Sequence, residues 1–146
     1  MTRALAGAEV AEGVQGALPG AGVKGEGGTI WVEARDLLPV ARYLKEEPGL
    51  AMDCLANLTA VDYLDHFEVV YHFLSLQHNH SLVLKVRLEG REGLAVPSVT
   101  PLWKGADLQE REVYDLLGIA FSGHPNLKRI LTWEGFPGHA LRKDFV

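Results

Sequence analysis

The chain has 146 residues, of which 47% are hydrophobic and 23% are charged, so it can bury one apolar core without disulfides or metal ions. Its formal net charge of -5 argues against a general nucleic-acid-binding protein, because neutralising phosphates requires clustered Lys and Arg. The single cysteine, Cys54, excludes an internal disulfide and a four-cysteine iron–sulfur or zinc site held by this chain alone.

The N-terminal region predicts neither a secretory signal nor a membrane span. Glu9 and Glu12 interrupt any apolar stretch near the N-terminus, where a signal peptide requires one. No stretch approaches the roughly 20 apolar residues needed to cross a bilayer. The lone cysteine suits a reducing compartment. We therefore expect a cytosolic chain, or one that reaches a membrane only through other proteins.

The first predicted element is a helix from Thr2 to Gln15. A glycine-rich connector follows over residues 16–28, and residues 29–32 form a short strand. Asp36 is the expected N-cap of a second helix, which Pro48-Gly49 ends. The buried face of this helix is predicted to consist of Leu37, Leu38, Ala41 and Leu44.

The middle of the chain carries the strongest strand pattern. Residues 67–74 and 82–89 alternate in the manner of half-buried strands, and polar residues 77–80 separate them. This pattern predicts a β-hairpin, with an earlier strand within residues 51–61 pairing against it. The predicted fold class is therefore α+β, a two-layer arrangement of a mostly antiparallel β-sheet with helices packed on one face.

The C-terminal part of the chain changes character. Residues 106–117 have a helical pattern, and Gly118 suits the C-cap of that helix. From Phe121 onwards no periodicity is evident, so this segment must lie along the domain or along a neighbour. We predict an α+β core domain over residues 1–118, best supported over 29–118, and an extended C-terminal docking segment over 119–146.

The predicted helix over 106–117 is rich in acidic residues, whereas the tail that follows it is rich in basic residues. The run 107–115 contains four acids and one base, whereas the tail supplies Lys128, Arg129, Arg142 and Lys143. One interpretation is a solvated helix face, with Asp107 and Glu110 as a loose capping box and Arg111 paired with Asp115. The other is a partner interface that ion pairs hold in register.

A metal or acid–base site built from Glu110, Glu112, Asp115 and His124 is a further alternative. The sequence lacks the HExxH pattern that would support it. The four histidines at positions 66, 72, 78 and 80 are expected to be structural, and Cys54 is expected in the core. Neither a phosphate-binding glycine loop nor a catalytic triad is indicated.

One set of motifs resembles a known family. The motifs are Glu110-Arg111-Glu112, Asp115-Leu116-Leu117, His124, and Lys128 with Ile130-Leu131. They resemble the signature of the 30-kDa subunit family of NADH-quinone oxidoreductase (respiratory complex I), the family of its C subunit. Segments 58–63, 67–71, 97–103 and 138–144 also resemble the family in the expected order. The similarity covers roughly residues 29–145.

By this resemblance, the chain is a structural docking subunit of the peripheral arm of a proton-translocating enzyme. The assembly passes electrons from NADH through FMN and iron–sulfur clusters to quinone. The resemblance implies that these cofactors belong to partner subunits, and that this chain has no catalytic residue, cofactor or metal ion of its own. It also implies a peripheral location on the cytoplasmic side of the inner membrane, reached through the complex.

The implied partners are the 49-kDa-type D subunit and the cluster-bearing subunits B and I, with no nucleic acid. The residues expected at this interface are Glu110, Arg111, Glu112, Asp115, Phe121, His124, Pro125, Lys128, Arg129, Gly138, His139, Arg142, Lys143 and Asp144.

The chain departs from the family pattern in three places. The family usually has proline at the position of Ala140 and an aromatic residue near Leu108 or Gln109, and many relatives continue beyond the position of Val146. A short chain also fits the equivalent subunit of a ferredoxin-dependent NDH-1 or of a membrane-bound hydrogenase complex. Exposed apolar residues in 119–145 predict that the isolated subunit is poorly soluble or partly disordered in that segment.

Overall fold

The fold is a six-stranded sheet with three helices, in a computed structural model that describes residues 2–133 and 135–145. In chain order the elements are β1 (Arg3–Ala4), α1 (Gly7–Ala17), β2 (Val23–Glu26), β3 (Thr29–Val32), a 3₁₀ turn (Ala34–Asp36), α2 (Leu37–Glu46), β4 (Cys54–Asp62), β5 (His66–Ser75), β6 (His80–Glu89), β7 (Ala95–Pro97), α3 (Ala106–Leu117) and β8 (Ala120–Ser122).

The strand order of the main sheet is β2-β3-β6-β5-β4, and β1 also pairs with β6. Strands β4, β5 and β6 form an antiparallel meander, and β2 pairs antiparallel with β3. The β3–β6 pairing is parallel, from Thr29 opposite Val83 to Trp31 opposite Lys85. Strands β7 and β8 form a separate parallel pair. The sheet is mostly antiparallel, as predicted.

The core lies between one face of the sheet and the helices. On β5, Phe67, Val69, Tyr71 and Phe73 all point inward and are at most 1% exposed. The same alternation buries Leu82, Leu84, Val86 and Leu88 on β6. These side chains form one apolar cluster with buried residues of all three helices. The α+β prediction, with helices on one face, is confirmed, as is the hairpin.

The N-terminal region differs from the prediction. The helix begins at Gly7 rather than near Thr2, because Arg3 and Ala4 pair with β6 as a short strand. The predicted connector contains β2. Its glycines allow close backbone packing, since a Cβ at Gly25 would lie 2.1 Å from the carbonyl oxygen of Gly7. Gly-rich composition here therefore marks a tightly packed strand, which the sequence pattern did not show.

The second helix also differs in detail. Leu37, Ala41 and Leu44 are buried as predicted, but Leu38 is only partly buried. Val40, absent from the predicted face, is fully buried. Asp36 makes no side-chain cap hydrogen bond; its carboxylate instead accepts the backbone N–H of Gly22 over 2.9 Å. Asp36 thus links the start of α2 to the segment before β2.

Candidate functional site

The side chain of Glu110 points from α3 into the core and is fully buried. Its two carboxyl oxygens accept hydrogen bonds from the Ser98 hydroxyl (2.7 Å) and the Val99 backbone N–H (2.9 Å). Burial raises the pKa of Glu110 above its usual range, although these two hydrogen bonds oppose that shift. The predicted capping box with Asp107 is wrong, because Gly105 is the N-cap and Glu110 faces inward.

Asp115, on the last turn of α3, is also fully buried. One carboxylate oxygen accepts the backbone N–H groups of Ile130, Leu131 and Thr132, at 3.2, 2.8 and 2.8 Å. The other accepts the Thr132 hydroxyl and the Arg129 guanidinium, the latter over 3.0 Å. Burial alone would raise the pKa of Asp115, but the hydrogen bonds from Thr132, Leu131 and Ile130 hold that pKa well below its usual range.

Two further side chains fix the chain that follows β8. Arg111 does not pair with Asp115 as one interpretation predicted; its guanidinium donates to the carbonyls of Lys128 and Arg129, each over 3.1 Å. The His124 ring accepts the Asn126 backbone N–H at Nδ1 over 2.9 Å. Its Nε2 hydrogen-bonds the backbone carbonyl of Asp107 over 3.2 Å and lies 2.9 Å from the carboxylate of the same residue.

The C-terminal strap, defined here as residues 128–133 and 135–145, also closes the end of α3. The last four carbonyls of a helix have no partner within the helix. In α3 the Tyr114 carbonyl accepts the Gly118 N–H over 2.9 Å, and the other three carbonyls accept donors from the strap. These three pairs are the His139 ring to Asp115 (2.8 Å), Leu141 N–H to Leu116 (2.9 Å) and the Arg142 guanidinium to Leu117 (2.6 Å).

Gly118 makes this close approach possible. Its φ of 80° lies in the left-handed region, as expected for a helix C-cap. A Cβ atom here would lie 2.7 Å from His139 Cδ2 and 2.9 Å from Arg142 Nη2. Glycine therefore both ends the helix and leaves room for the strap.

Another buried carboxylate, that of Asp62 at the end of β4, holds the far end of the strap. Arg91 pairs with both oxygens of Asp62, each over 2.8 Å, and Lys143 donates its backbone N–H over 2.9 Å. Arg91 also pairs with Asp144 over 2.8 Å. The Arg91 hydrogen bonds lower the pKa of Asp62 well below its usual range, although burial opposes this.

Sequence reasoning did not single out Asp62 or Arg91 as site residues. In the structure Asp62 stands opposite Phe67 on the apolar face of the sheet. A carboxylate at such a position requires buried partners. Arg91 supplies them, and its guanidinium also stacks over the Phe67 ring at 5.0 Å. The distant partner, however, is set by the tertiary fold rather than by spacing along the chain.

The strap turns large apolar side chains outward. Leu131, Trp133 and Leu141 are 64%, 65% and 61% exposed, and Leu108 on α3 is 56% exposed. Six of the predicted interface residues are also exposed, namely Glu112, Pro125, Lys128, Gly138, Lys143 and Asp144. Such a surface is unusual for a segment that the chain holds with so many hydrogen bonds.

The structure separates the predicted interface residues into buried residues, residues with contacts to the strap or its approach, and exposed residues. Glu110, Asp115 and Phe121 lie inside the chain and are at most 2% exposed, so their contacts are internal rather than with a partner. Arg111, Arg129, His139, Arg142 and Asp144 position the strap, Gly138 adopts a φ of 95° within it, and His124 contacts Asn126 and Asp107 ahead of the strap. Partner contact through the exposed residues remains a prediction.

The four residues of the alternative metal site have different partners. Glu110 binds the 98–99 turn, Asp115 binds residues 129–132, His124 binds Asp107, and Glu112 is exposed. Within residues 2–133 and 135–145, no three His, Cys, Asp or Glu side chains come together as metal ligands. His78 and His80 instead hydrogen-bond the carbonyls of Pro48 and Leu50.

The comparison with known families gives the assignment. The family model described as "Respiratory-chain NADH dehydrogenase, 30 Kd subunit" matches residues 30–146. The chain belongs to this family. The match includes β4 to β6, α3 and the strap, so Asp62 and Asp115 both lie within the family region. The sequence resemblance is therefore confirmed.

Curated relatives of the 30-kDa subunit family agree. The C subunit of NADH-quinone oxidoreductase from Azorhizobium caulinodans is 45% identical over 144 residues, which cover 94% of this chain and 67% of that protein. The mitochondrial NADH-ubiquinone oxidoreductase 30.4 kDa subunit of Neurospora crassa is 45% identical over 120 residues, 80% of this chain and 42% of that protein. The chain thus spans between 42% and 67% of the length of these relatives.

A solved structure shares the fold. It is a chain in the membrane-bound sulfane sulfur reductase, an archaeal respiratory membrane complex, with a TM-score of 0.74 and 22% sequence identity. The match covers 94% of this chain and 84% of that chain. Among the described residues, no helix has the length and apolarity needed to cross a membrane.

Proposed function

We propose that this chain is a non-catalytic docking subunit in the peripheral arm of a proton-translocating NADH-quinone oxidoreductase. In this proposal it contacts the 49-kDa-type D subunit and lies near the cluster-bearing subunits B and I. FMN, iron–sulfur clusters and quinone belong to those other subunits, and this chain binds none of them. It reaches the cytoplasmic side of the membrane through the complex. Membership of the 30-kDa subunit family supports the assembly.

The observation that carries the docking role is the exposed apolar surface of a well-held strap. Leu131, Trp133 and Leu141 are each more than 60% exposed, yet Asp115 and the end of α3 hold the backbone around them. Exposed apolar side chains on an ordered segment mark protein interaction sites. Tryptophan is also among the residues enriched at the centre of such interfaces.

The buried carboxylates support a structural role for this chain rather than acid–base catalysis. Asp62 and Asp115 each accept at least four hydrogen bonds. A general base must reach the proton that it removes from a substrate. These carboxylates are enclosed by their own partners, so their role is to hold the strap.

The test is affinity purification of the tagged chain from its native membranes, with the co-purifying subunits identified by mass. The test variant replaces Leu131 and Trp133 together by serine. The control variant, Leu76→Ser, removes a leucine that is 74% exposed at the β5–β6 hairpin, outside the strap. We expect the wild type and the control to recover a 49-kDa-type subunit together with flavin- and cluster-bearing subunits, and the test variant to recover much less.

Other outcomes would change the assignment. Recovery of a 49-kDa-type subunit without the flavin-bearing subunits would indicate a ferredoxin-dependent or hydrogenase-type assembly instead. A wild-type chain recovered alone would contradict the docking role. Equal losses for Leu76→Ser and the strap variant would show that exposure alone, and not the strap surface, controls recovery.

A further inference from the structure

We propose that the C-terminal strap closes on this chain without a partner, through two anchors of unequal strength, and that it opens from its C-terminal end. The near anchor is Asp115, and the far anchor is the Asp62–Arg91 pair. This proposal concerns the isolated chain, so it can be tested without knowing the identity of any partner. It also contradicts the expectation of partial disorder in residues 119–145.

The near anchor concentrates its contacts on one buried carboxylate. Asp115 receives the backbone N–H groups of residues 130–132, the Thr132 hydroxyl and the Arg129 guanidinium. Arg111 reinforces this region from the same helix by binding the carbonyls of residues 128 and 129. Hydrogen bonds to a buried charge are stronger than neutral ones, and salt screens them little.

The far anchor has fewer contacts with the strap, and part of it is exposed. Asp62 receives one strap N–H, from Lys143, and Arg91 pairs with Asp144, whose side chain is 51% exposed. Arg142 lies over the Phe67 ring at 5.2 Å and contributes a cation–π contact. Because the Arg91–Asp144 pair reaches solvent, salt weakens it.

Apolar burial does little to distinguish the two ends. Leu131 and Trp133 at the near end and Leu141 at the far end all point outward. Phe145 stacks on Phe136 at 5.7 Å, but it is 38% exposed. The far half also donates hydrogen bonds from His139, Leu141 and Arg142 to the last carbonyls of α3, but these acceptors are neutral carbonyls rather than a buried carboxylate. The order of opening should therefore follow the hydrogen bonds to the buried carboxylates, and segments with few such contacts open locally at low free energy. The far half is the part that a partner could rearrange without breaking the near anchor.

The experiment is hydrogen–deuterium exchange with mass spectrometry on the purified full-length chain. We expect amides of residues 130–132 to exchange at least ten times more slowly than those of residues 141–143, and both to exchange more slowly than an unstructured peptide. Raising the salt concentration from about 0.05 to 1 M should speed exchange at 141–143 only, because exposed ion pairs are screened more than buried ones. Unprotected amides in both segments would overturn the proposal.

Two variants and one control make the test specific. Asp144→Asn removes only the exposed partner of Arg91, and we expect faster exchange at 141–143 with no change at 130–132. Asp62→Asn should produce a larger increase at the same amides. The control, Asp65→Asn, changes an exposed acid three residues from Asp62 that contacts His66 instead. If Asp144→Asn and Asp62→Asn both leave 141–143 unchanged, the far anchor does not hold the strap.

Discussion

Thr132 donates its backbone N–H to the Asp115 carboxylate over 2.8 Å, and its hydroxyl bonds the same carboxylate, although 17 positions separate the two residues. The loop between them therefore returns to the helix from which it came. Asp115 is fully buried, so it can be kept charged only by such partners. The family signature acid is thus the internal support of the strap rather than part of its outer surface.

Replacing Asp115 by Asn should destabilise the chain. The amide keeps the size of the side chain but removes the charge opposite Arg129, and such truncated buried pairs typically cost about 2–5 kcal/mol. Since the folded-state pKa of Asp115 is depressed, its contribution is present above the unfolded pKa of about 3.9 and is lost as the pH falls through the folded value.

Urea unfolding of wild type and Asp115→Asn at several pH values between 7 and 3 would measure this effect. The stability gap should be widest near pH 7 and should narrow below about pH 4, where unfolded aspartate begins to bind protons. Glu112→Gln, which changes an exposed acid on the same helix, serves as the control. A gap that does not depend on pH would contradict the charge argument.

Glu110→Gln should show the opposite pH dependence. The folded-state pKa of Glu110 is raised, so its favourable contribution is complete below the unfolded pKa of about 4.3 and is lost as the pH rises through the folded value. Glutamine does not titrate, and its amide oxygen can still accept one hydrogen bond. We therefore expect the stability of the variant relative to wild type to improve as the pH rises from 4 to 7. Thermal unfolding across this range provides the measurement, and a relative stability that falls would contradict the burial argument.

Gly118→Ala should be more harmful than an ordinary substitution at a helix C-cap. The left-handed backbone alone costs an L-residue roughly 1 kcal/mol, and the added Cβ would also collide with His139 and Arg142. Gly123→Ala is the matched control, since Gly123 has a φ of 82° but a Cβ there would meet no atom within 4 Å. Chemical unfolding should show a larger loss for Gly118→Ala, and faster amide exchange at Leu141. Equal losses of stability in the two variants would mean that the strap can move away from the added Cβ without destabilising the chain.

Tyr71→Phe should leave stability unchanged or raise it slightly. The Tyr71 hydroxyl is buried and has no hydrogen-bond partner among the described residues. A buried hydroxyl without a partner is unfavourable, and removing it relieves a cost of about 1–3 kcal/mol. Urea unfolding of the variant tests this. A loss above about 1 kcal/mol would indicate that the hydroxyl has a partner such as an ordered water.

The parts of the fold that sequence predicted are those where local pattern decides the outcome. Alternation along residues 67–74 and 82–89 was sufficient for the hairpin, because one face of each strand is buried. Gly118 marked the end of α3 correctly, since the left-handed cap is a local requirement. Strand β2 was missed because Gly25 packs against the backbone of Gly7, and glycine normally disfavours strands.

The candidate site was predictable only in composition. The opposite charges of 107–115 and 128–144 were recognised, but the sequence left open whether they pair within this chain or with a partner. In the structure Arg129 pairs with Asp115. The helical pattern did not predict that Asp115 would be buried and Glu112 exposed, because this depends on where the rest of the chain packs against α3. Arg91 was missed for the same reason, as its partners are 29 and 53 positions away.

The parallel β3–β6 pairing has a consequence for how the chain folds. Strands β4, β5 and β6 are neighbours both in sequence and in the sheet, so the meander can form early through short loop closures. The β2–β3 hairpin can join the sheet only later, because Ile30 pairs with Leu84 on a strand that is synthesised much later. During synthesis the N-terminal quarter therefore leaves the ribosome before β6, the strand with which β3 pairs, has been made. Chains stalled before residue 80 would keep Ile30 and Val32 accessible to chaperones, and completion of β6 would bury them.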